Sequence, residues 1–364
     1  MRVAHLLRQA AAEGVAPALA FGIDRAGQTR RWFAGRLQPN REAPLCGPET
    51  VFDLASLTKP LCTATWCATL VGGGRLDLAT PIGDLLPVTD RALAVCPVRR
   101  LLSHTSGLPA HRPYFSGLGG RVLAGGAHET ARAGLRRMLL RAEPESEPGQ
   151  REVYSDLGFL LLEATCEAVD GPLAQRWTSL PDHGVHGLHF RPLPGEGDPE
   201  VYAATEDCPW RGRRLVGEVH DENAWTMGGV AGHAGLFGTL DAVLGASRRV
   251  LNAVRGDDGL GAVAAQLRAF VDPRVIHPLG THVLGWDTPT PGASSSGTRF
   301  GRRSFGHLGF TGTSVWIDPD ADVVMVLLTN RVCPTRSHTA IRALRPALHD
   351  AAWDALGGEE EGES

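Results

Sequence analysis

Segments that predict β-strands lie near both ends of this 364-residue chain, and helices and loops occupy its middle. Residues 17–24 (PALAFGID) and 29–34 predict a hairpin around the turn Asp24-Arg25-Ala26-Gly27. Further strands are predicted near the carboxyl end, at residues 282–286, 304–310, 313–317 and 322–329. This order indicates one sheet assembled from both ends of the chain, with a helical region inserted. A cleft between the two parts is the expected place for a site.

Helical patterns and their end signals fill most of the remaining sequence. Residues 56–71 have the length of a helix, which Gly72-Gly73-Gly74 ends. Further helices are predicted at the amino terminus and at residues 98–102, 129–141, 157–169, 242–254 and 337–356. We predict a single unit over residues 1–350, followed by a disordered acidic tail at 357–364. Its sheet-bearing part would comprise about residues 1–75 and 225–356, and the helical insertion about residues 76–224.

The charge and hydropathy of the chain exclude several classes of protein. A formal net charge of -4 provides no field that would recruit nucleic acid or an anionic membrane. No run of 18 or more apolar residues predicts a membrane-spanning helix, and the first residues lack the features of a secretory signal. We therefore expect a cytoplasmic protein with neither nucleic-acid nor membrane partners. The sequence leaves its oligomeric state open.

Seven cysteines are present, an odd number that includes no C-x-x-C pair. Without a secretory signal, a disulfide framework is not expected. We predict that all seven are buried, reduced thiols: Cys46, Cys62, Cys67, Cys96, Cys166, Cys208 and Cys333.

The strongest chemical signal is Ser56-Leu57-Thr58-Lys59, an S-x-x-K sequence at the start of a predicted helix. Residues three apart share a helix face, so the Lys59 amine can reach the Ser56 hydroxyl. A serine hydroxyl needs an adjacent base to become a good nucleophile. Lys59 can be that base only if burial or positive neighbours lower its pKa. Taken alone, the motif is more often a serine helix cap followed by a solvated lysine.

Two further segments combine polar side chains with turn or strand signals. Tyr154-Ser155-Asp156 precedes a strongly apolar helix, and alone it favours Asp156 as the N-cap of that helix. His307-Leu308-Gly309 falls on a predicted strand, where a glycine lets a ligand approach the backbone closely. Neither segment identifies a site by itself.

In this order and in these contexts, the three segments resemble the serine β-lactamase and penicillin-binding-protein superfamily. The most similar branch contains class C-type β-lactamases, DD-peptidases and related carboxylesterases. The resemblance covers roughly residues 3–350 and extends to VFDLASLTKPLCTA, VRRLLSHTSGLP, PGQREVYSDLGFLLLEATCEAVDGPL, MGGVAGHAGLFGT and FGHLGFTGTSVWIDPDADVVMVLLTNR. It implies an α+β fold, in which helices flank an antiparallel sheet and a mostly helical domain is inserted.

The resemblance also implies roles for individual residues. Ser56 would be the acylated nucleophile, Lys59 would accept or tune its proton, and Tyr154 would be the second proton-handling group. The backbone amides of Ser56 and Phe310 would form the oxyanion hole. Substrate-binding positions would include Asp156, His307 and Gly309.

Two positions depart from the pattern that the family usually shows. The tyrosine motif often ends in Asn, whereas Asp156 stands here, and a carboxylate near Lys59 favours the charged ammonium. We therefore expect Tyr154 to be the main base, with Lys59 stabilising its phenolate. The strand motif often begins with Lys, which meets a carboxylate of the substrate. His307 is largely neutral at pH 7, which weakens the demand for an anionic substrate.

The remaining histidines favour structural roles. His183, His186 and His189 have a spacing that a metal site could use, but their Pro- and Gly-rich surroundings indicate a loop without metal. His104 and His233 each lie among small residues, where a side chain can bond to the backbone and fix a loop. His233 is the better candidate for lining the cleft and binding substrate. We expect no metal and no cofactor.

These observations predict a serine hydrolase that forms an acyl-enzyme with a small ester, amide or peptide. Small carboxylic esters lead, followed by D-alanyl-D-alanine carboxypeptidase-like or D-aminopeptidase-like activity and by β-lactamase activity. Two alternatives belong to other classes: a non-catalytic ligand-binding protein on the same fold, and a metallohydrolase built on the histidine cluster.

Overall fold

The structure is a computed structural model. It describes residues 2–177, 187–191, 198, 200–256 and 261–357. The strands are β1 (Ala18–Arg25), β2 (Gln28–Gly35), β3 (Phe52–Asp53), β4 (His189–Phe190), β5 (Asp207–Cys208), β6 (Arg213–Arg214), β7 (Leu236–Gly238), β8 (Phe305–Leu308), β9 (Ser314–Asp318) and β10 (Val323–Thr329). The helices are α1 (Arg2–Ala12), α2 (Thr65–Gly72), α3 (Arg91–Ala94), α4 (Arg99–Leu102), α5 (Phe115–Leu123), α6 (His128–Leu139), α7 (Asp156–Asp170), α8 (Leu173–Arg176), α9 (Glu222–Thr226), α10 (Leu240–Arg255), α11 (Ala262–Phe270) and α12 (Ile341–Gly357).

The main sheet joins the two ends of the chain. Its five strands are antiparallel and lie in the order β2-β1-β10-β9-β8. The two central strands come from opposite ends of the sequence, since Leu19 in β1 pairs with Thr329 in β10. The strand β8 lies at one edge of the sheet, and this edge borders the cleft described below.

Alternation along the central strands places a hydrophobic layer on each face of the sheet. Leu19 and Phe21 of β1 pack with α1 and α12, whereas Ala18 and Ala20 face α10. The helix α10 approaches β1 closely at Gly22, where an added Cβ would lie 2.7 Å from a methyl carbon of Leu244. The sheet is therefore flanked by helices on both sides.

The helical region is organised around α7, whose residues from Leu157 to Cys166 are buried. This helix packs with α2 and α4 in a hydrophobic core that includes Trp66 and Leu101. The Trp66 indole nitrogen donates a hydrogen bond of 2.9 Å to Asp170 at the end of α7. This hydrogen bond fixes the carboxyl-terminal end of α7 against α2.

The strands predicted at residues 17–24, 29–34, 304–310, 313–317 and 322–329 and most predicted helices are confirmed, and the α+β fold with a sheet built from both ends of the chain is observed. The strand predicted at residues 282–286 is wrong. The Val283 amide donates to the Trp286 carbonyl at 2.9 Å, which folds the segment into a tight turn around Gly285. Five helices were not predicted: α3, α5, α8, α9 and α11. The division at residues 76 and 224 stays a prediction, and the tail beyond residue 357 lies outside the described residues.

The burial predicted for the seven cysteines is confirmed, and none of these described residues forms a disulfide. Burial raises the pKa of several of their thiols, to about 11 for Cys46 and about 12 for Cys333. Cys46 and Cys333 are therefore protonated packing groups at neutral pH.

Candidate active site

A cleft with a volume of about 660 Å³ lies between the edge strand β8 and the helical region. The sequence-predicted residues that line it are Ser56, Tyr154, Asp156, His307, Gly309 and Phe310. Three segments that are about 100 and 150 residues apart in sequence thus meet in one cavity. Two other predicted residues, Lys59 and His233, lie directly behind this wall and are fully buried.

The segment that carries Ser56, the predicted nucleophile, is held by a short strand on one side and an irregular helix on the other. The strand β3 pairs with β7 and leads through Leu54 into a 3₁₀ helix at Ala55–Leu57, which carries Ser56. A π-helix at Lys59–Ala64 follows and continues into α2. Ala55 has a φ of 48°, a left-handed conformation that is strained for a residue with a Cβ. The strain is offset by the Asp53 carboxylate, which accepts a 2.8 Å hydrogen bond from the Ala55 amide.

The predicted pairing of serine and lysine is present. The Lys59 Nζ lies 2.9 Å from the Ser56 Oγ, 2.7 Å from the Asp156 Oδ1 and 3.2 Å from the His233 carbonyl oxygen. The side chain of Lys59 is fully buried, whereas 20 % of the Asp156 side chain is exposed. Lys59 therefore links the Ser56 hydroxyl to a carboxylate at the cleft wall.

The neighbours of Lys59 decide its charge. Burial lowers the pKa of Lys59, but the Asp156 carboxylate and Tyr154 raise it by a larger amount. The pKa of Lys59 therefore lies above its ordinary value. Burial raises the pKa of Asp156, but the interactions of its carboxylate with Lys59 and His111 lower it by a larger amount. The pKa of Asp156 therefore lies well below its usual range. The resting site thus holds an ammonium and a carboxylate, as the presence of Asp156 in the tyrosine motif predicts.

Tyr154 lies against this ion pair. Its ring centroid is 4.8 Å from the Lys59 Nζ and 4.6 Å from the ring of His104. It lines the cleft together with Ser56. Burial raises the pKa of Tyr154, whereas the positive charge of Lys59 opposes this increase. Tyr154 is therefore a phenol at rest beside Lys59.

The segment that carries Tyr154 is fixed by its neighbours. The prediction that Asp156 caps the following helix is wrong, because the Ser155 hydroxyl accepts the cap hydrogen bond from the Gly158 amide at 3.0 Å. Asp156 is instead the first residue of α7, and its side chain is available for Lys59. His104 has the structural role that was predicted, since its Nδ1 accepts a 3.0 Å hydrogen bond from the Ser155 amide.

Two backbone amides could stabilise an oxyanion at the cleft. No acceptor for the amide of Ser56 or of Phe310 is found among the residues that the structure describes. The turn after β8 is fastened to the nucleophile segment, since the Thr311 and Thr313 hydroxyls donate to the carbonyls of Asp53 and Leu54. This arrangement brings Ser56 and Phe310 to the same cleft, as an oxyanion hole formed by their two amides would require.

His307 and His233 differ in their relation to the cleft. His307 lines it, and burial lowers its pKa to about 3, so the imidazole is neutral at physiological pH. His233 is buried, and its Nε2 bonds to the Asp221 Oδ1 at 2.9 Å. The part of His233 that reaches the predicted site is its backbone carbonyl, which accepts from Lys59. Asp221 lines the cleft in its place.

Sequence reasoning missed several polar residues that line the same cavity. The His111 Nδ1 lies 3.6 Å from the Asp156 Oδ2, and the interaction with this carboxylate raises the pKa of His111. Asp221 caps α9 by accepting a 2.7 Å hydrogen bond from the Ala224 amide. The Asp-Glu-Asn sequence at 221–223 is a signal for a helix start that could have identified this cap, but no local pattern connects it to Lys59. Four arginines also line the cavity: Arg331, Arg336, Arg342 and Arg345.

Among the residues that the structure describes, two groups of side chains are candidate metal sites, and neither is well suited to bind a metal ion. His183 and His186 of the histidine cluster lie outside the described residues, and the His189 Nε2 is 2.8 Å from the Tyr202 hydroxyl. Elsewhere, Glu206, Cys208 and Glu222 have ligand atoms within 4.8 Å of one another. The Arg336 guanidinium donates to both of these carboxylates and already supplies a cation there.

Replacing Asp156 by Asn is expected to shift the pH–rate profile. Without the carboxylate, burial lowers the pKa of Lys59, so the ammonium is lost at lower pH. If the ammonium supports Tyr154, the alkaline limb of kcat/KM moves down by about one pH unit or more. Asp84→Asn, at an exposed carboxylate, is the matched control. An unchanged profile in the Asp156 variant would argue against this charge assignment.

Comparisons with known proteins identify the group to which this geometry belongs. The family model described as Beta-lactamase matches residues 3–349. A putative D-alanyl-D-alanine carboxypeptidase of Escherichia coli K12 is 30% identical over 307 residues, which cover 78% of this chain and 69% of that protein. An N-acetylmuramyl-L-alanine amidase of Bacillus subtilis is 31% identical over 315 residues, which cover 78% of this chain and 68% of the amidase.

A solved structure reproduces the fold. EstCE1, described as a hydrolase with promiscuous acyltransferase activity, superposes with a TM-score of 0.71 at 22% identity. The match covers 96% of this chain and 97% of EstCE1. Within the described part of the chain, no helix is long and apolar enough to cross a membrane.

Proposed function

This chain belongs to the beta-lactamase family of serine hydrolases, and from that premise we propose that it cleaves a small carboxylic ester or amide through an acyl-enzyme on Ser56. The observation that carries the proposal is the contact of 2.9 Å between the Lys59 Nζ and the Ser56 Oγ in a cleft that Tyr154 also lines. A nucleophile with proton-handling groups in hydrogen-bond reach is the arrangement that covalent catalysis requires.

Acylation starts with attack of the Ser56 Oγ on the carbonyl carbon of the substrate. The Ser56 proton passes to the Tyr154 oxygen, while the Tyr154 proton passes to the departing alcohol or amine. The Lys59 ammonium stabilises the negative charge that develops on Tyr154 during this exchange. The amides of Ser56 and Phe310 bind the oxyanion of the tetrahedral intermediate.

Deacylation reverses the same proton path. A water molecule attacks the acyl carbonyl, its proton passes through Tyr154, and the Ser56 oxygen is protonated as it leaves. The acid product and the free enzyme result. The Asp156 carboxylate keeps Lys59 charged in both half-reactions, so Lys59 acts as a fixed cation and Tyr154 moves the protons.

The neutral imidazole of His307 supports small carboxylic esters as the leading substrates. A lysine at this place would supply a cation for a substrate carboxylate, which His307 does not. Amides and peptides of D-amino acids are the second candidate class. The relatives named as a D-alanyl-D-alanine carboxypeptidase and an N-acetylmuramyl-L-alanine amidase favour it. β-Lactams are the third class.

A fluorophosphonate and intact-mass measurement tests the proposal. We expect one adduct on the wild-type protein, mapped to Ser56, and none on Ser56→Ala. Ser116→Ala, at an exposed serine, is the matched control and should be labelled like the wild type. A folded wild-type protein without an adduct would favour the ligand-binding alternative. Activity that chelators abolish, again without an adduct, would favour the metallohydrolase.

A further inference from the structure

The imidazole of His307 has one nitrogen that the protein satisfies and one that it does not. The Nδ1 lies 2.8 Å from the Leu308 carbonyl oxygen. A carbonyl oxygen only accepts, so the Nδ1 must carry the proton of this hydrogen bond. The Nε2 is buried and has no partner among the described residues. His307 as a whole is only 2% exposed, although it lines the cleft.

The surroundings of His307 keep this unpartnered nitrogen unprotonated. Burial disfavours the imidazolium, and the positive charge of Lys59 opposes a second cation nearby. The rings of Tyr154 and His307 are 5.8 Å apart, which places His307 next to the proton-handling groups. With the proton on Nδ1, the Nε2 offers only a lone pair to whatever enters the cleft.

Other protein groups already engage three of the arginines that line the cavity. Arg331 donates to the Phe310 carbonyl at 2.8 Å, and Arg345 donates to the Gly309 and Thr313 carbonyls. Arg336 is bound by Glu206 and Glu222. Arg342 is exposed on the first turn of α12. The imidazole of His307 therefore presents an acceptor, while three of the four arginine guanidinium groups in the cavity wall are already held by carbonyls or carboxylates of the protein.

We propose that the His307 Nε2 accepts a hydrogen bond from an uncharged N–H or O–H group of the substrate, which makes His307 a specificity-determining residue. This inference rests on the proposed function, since it describes the substrate of the Ser56 cleft. A carboxylate at the same position would place its oxygen lone pairs against the Nε2 lone pair, and both would be buried without a donor. The enzyme thus selects a carboxamide, a secondary amide or a hydroxyl group there and disfavours an acid.

The test uses three p-nitrophenyl esters of adipic acid whose far end is a carboxamide, a methyl ester or a carboxylate. All three have the same scissile bond, so their kcat/KM ratios report the far group. In the wild type, the kcat/KM of the carboxamide ester should exceed that of the methyl ester by about tenfold, because one buried hydrogen bond has an effect of this size. The kcat/KM of the carboxamide ester should exceed that of the carboxylate ester by more than tenfold. In His307→Leu, the advantage of the carboxamide over the methyl ester should vanish, and in His307→Lys the carboxylate should gain.

Fluorophosphonate labelling separates failure of this inference from failure of the proposed function. If Ser56 is labelled in the wild type and in His307→Leu, the nucleophile and the fold are intact, and the substrate ratios are decisive. Equal wild-type rates, or a ratio that His307→Leu leaves unchanged, overturn the role of His307. A carboxylate preference that survives in His307→Leu also overturns it and places the anion at Arg342. Absence of labelling in the wild type overturns the proposed function itself.

Discussion

Replacing Lys59 by Met is expected to destabilise the protein by roughly 3 kcal/mol and to lower hydrolysis by several orders of magnitude. The change leaves the Asp156 carboxylate without the ammonium that lies 2.7 Å away. Breaking a buried ion pair costs about 3–5 kcal/mol, and the low end applies because 20% of the Asp156 side chain is exposed. Activity falls because Ser56 and Tyr154 lose their shared cation.

The double variant Lys59→Met/Asp156→Asn is the control for this result. It removes the uncompensated carboxylate, so its thermal midpoint should recover towards that of the wild type while hydrolysis stays lost. A double variant as unstable as the single one would mean that lost packing of the lysine stem, rather than the unpaired charge, causes the destabilisation.

The stability deficit of Lys59→Met should depend on pH. In the wild type, the pKa of Asp156 lies below its unfolded value, so the pair contributes stability that is lost as pH falls through the folded pKa. In the variant, burial raises the pKa of Asp156, and protonation at low pH relieves the unpaired charge. The gap between wild type and variant should therefore narrow as the pH is lowered from 7 towards 4.

Replacing Gly309 by Ala is expected to reduce kcat by about 10²–10³-fold, the usual effect of losing one oxyanion donor. An added Cβ would lie 1.9 Å from the Thr313 Oγ1 and 2.7 Å from the Leu54 carbonyl oxygen. The turn after β8 must then move away from the nucleophile segment, and the Phe310 amide moves with it. Steady-state kinetics on an activated ester would measure the loss.

Gly120→Ala is the matched control for this variant. Gly120 lies in α5, and an added Cβ there meets nothing within 4 Å. Alanine in a helix interior is also favoured over glycine, so the control should keep full activity and gain slightly in stability. A folded Gly309→Ala protein with wild-type kcat would show that the Phe310 amide does not bind the oxyanion.

The parts of this fold that the sequence predicted are those with strong local patterns. Residues 17–24 and 322–329 are apolar runs bounded by turn signals, and both are central strands. The contact between Ser56 and Lys59 follows from their spacing along one helix turn. The effect of Asp156 on Lys59 could be predicted once the resemblance brought these two residues together.

The parts that were missed depend on contacts between distant segments. The strands β3 and β7 have two and three residues, too few for periodicity, and they exist because Phe52 and Gly238 pair. The bond between His233 and Asp221 and the position of His111 beside Asp156 likewise arise from tertiary packing. At the start of α7, two neighbouring residues could each cap the helix, and only the packing of Ser155 against Pro109 and His104 decides between them.

The pairing of β1 with β10 has a consequence for how the chain acquires its structure during synthesis. Leu19 emerges from the ribosome some three hundred residues before its partner Thr329. Until then, one edge of β1 in the hairpin of β1 and β2 stays unpaired, and α12, which packs on the Leu19 and Phe21 face, has not yet been made. Closing so long a loop is slow because entropy must be lost before any contact compensates for it. The nascent chain therefore depends on protection from aggregation until β10 and α12 have been made.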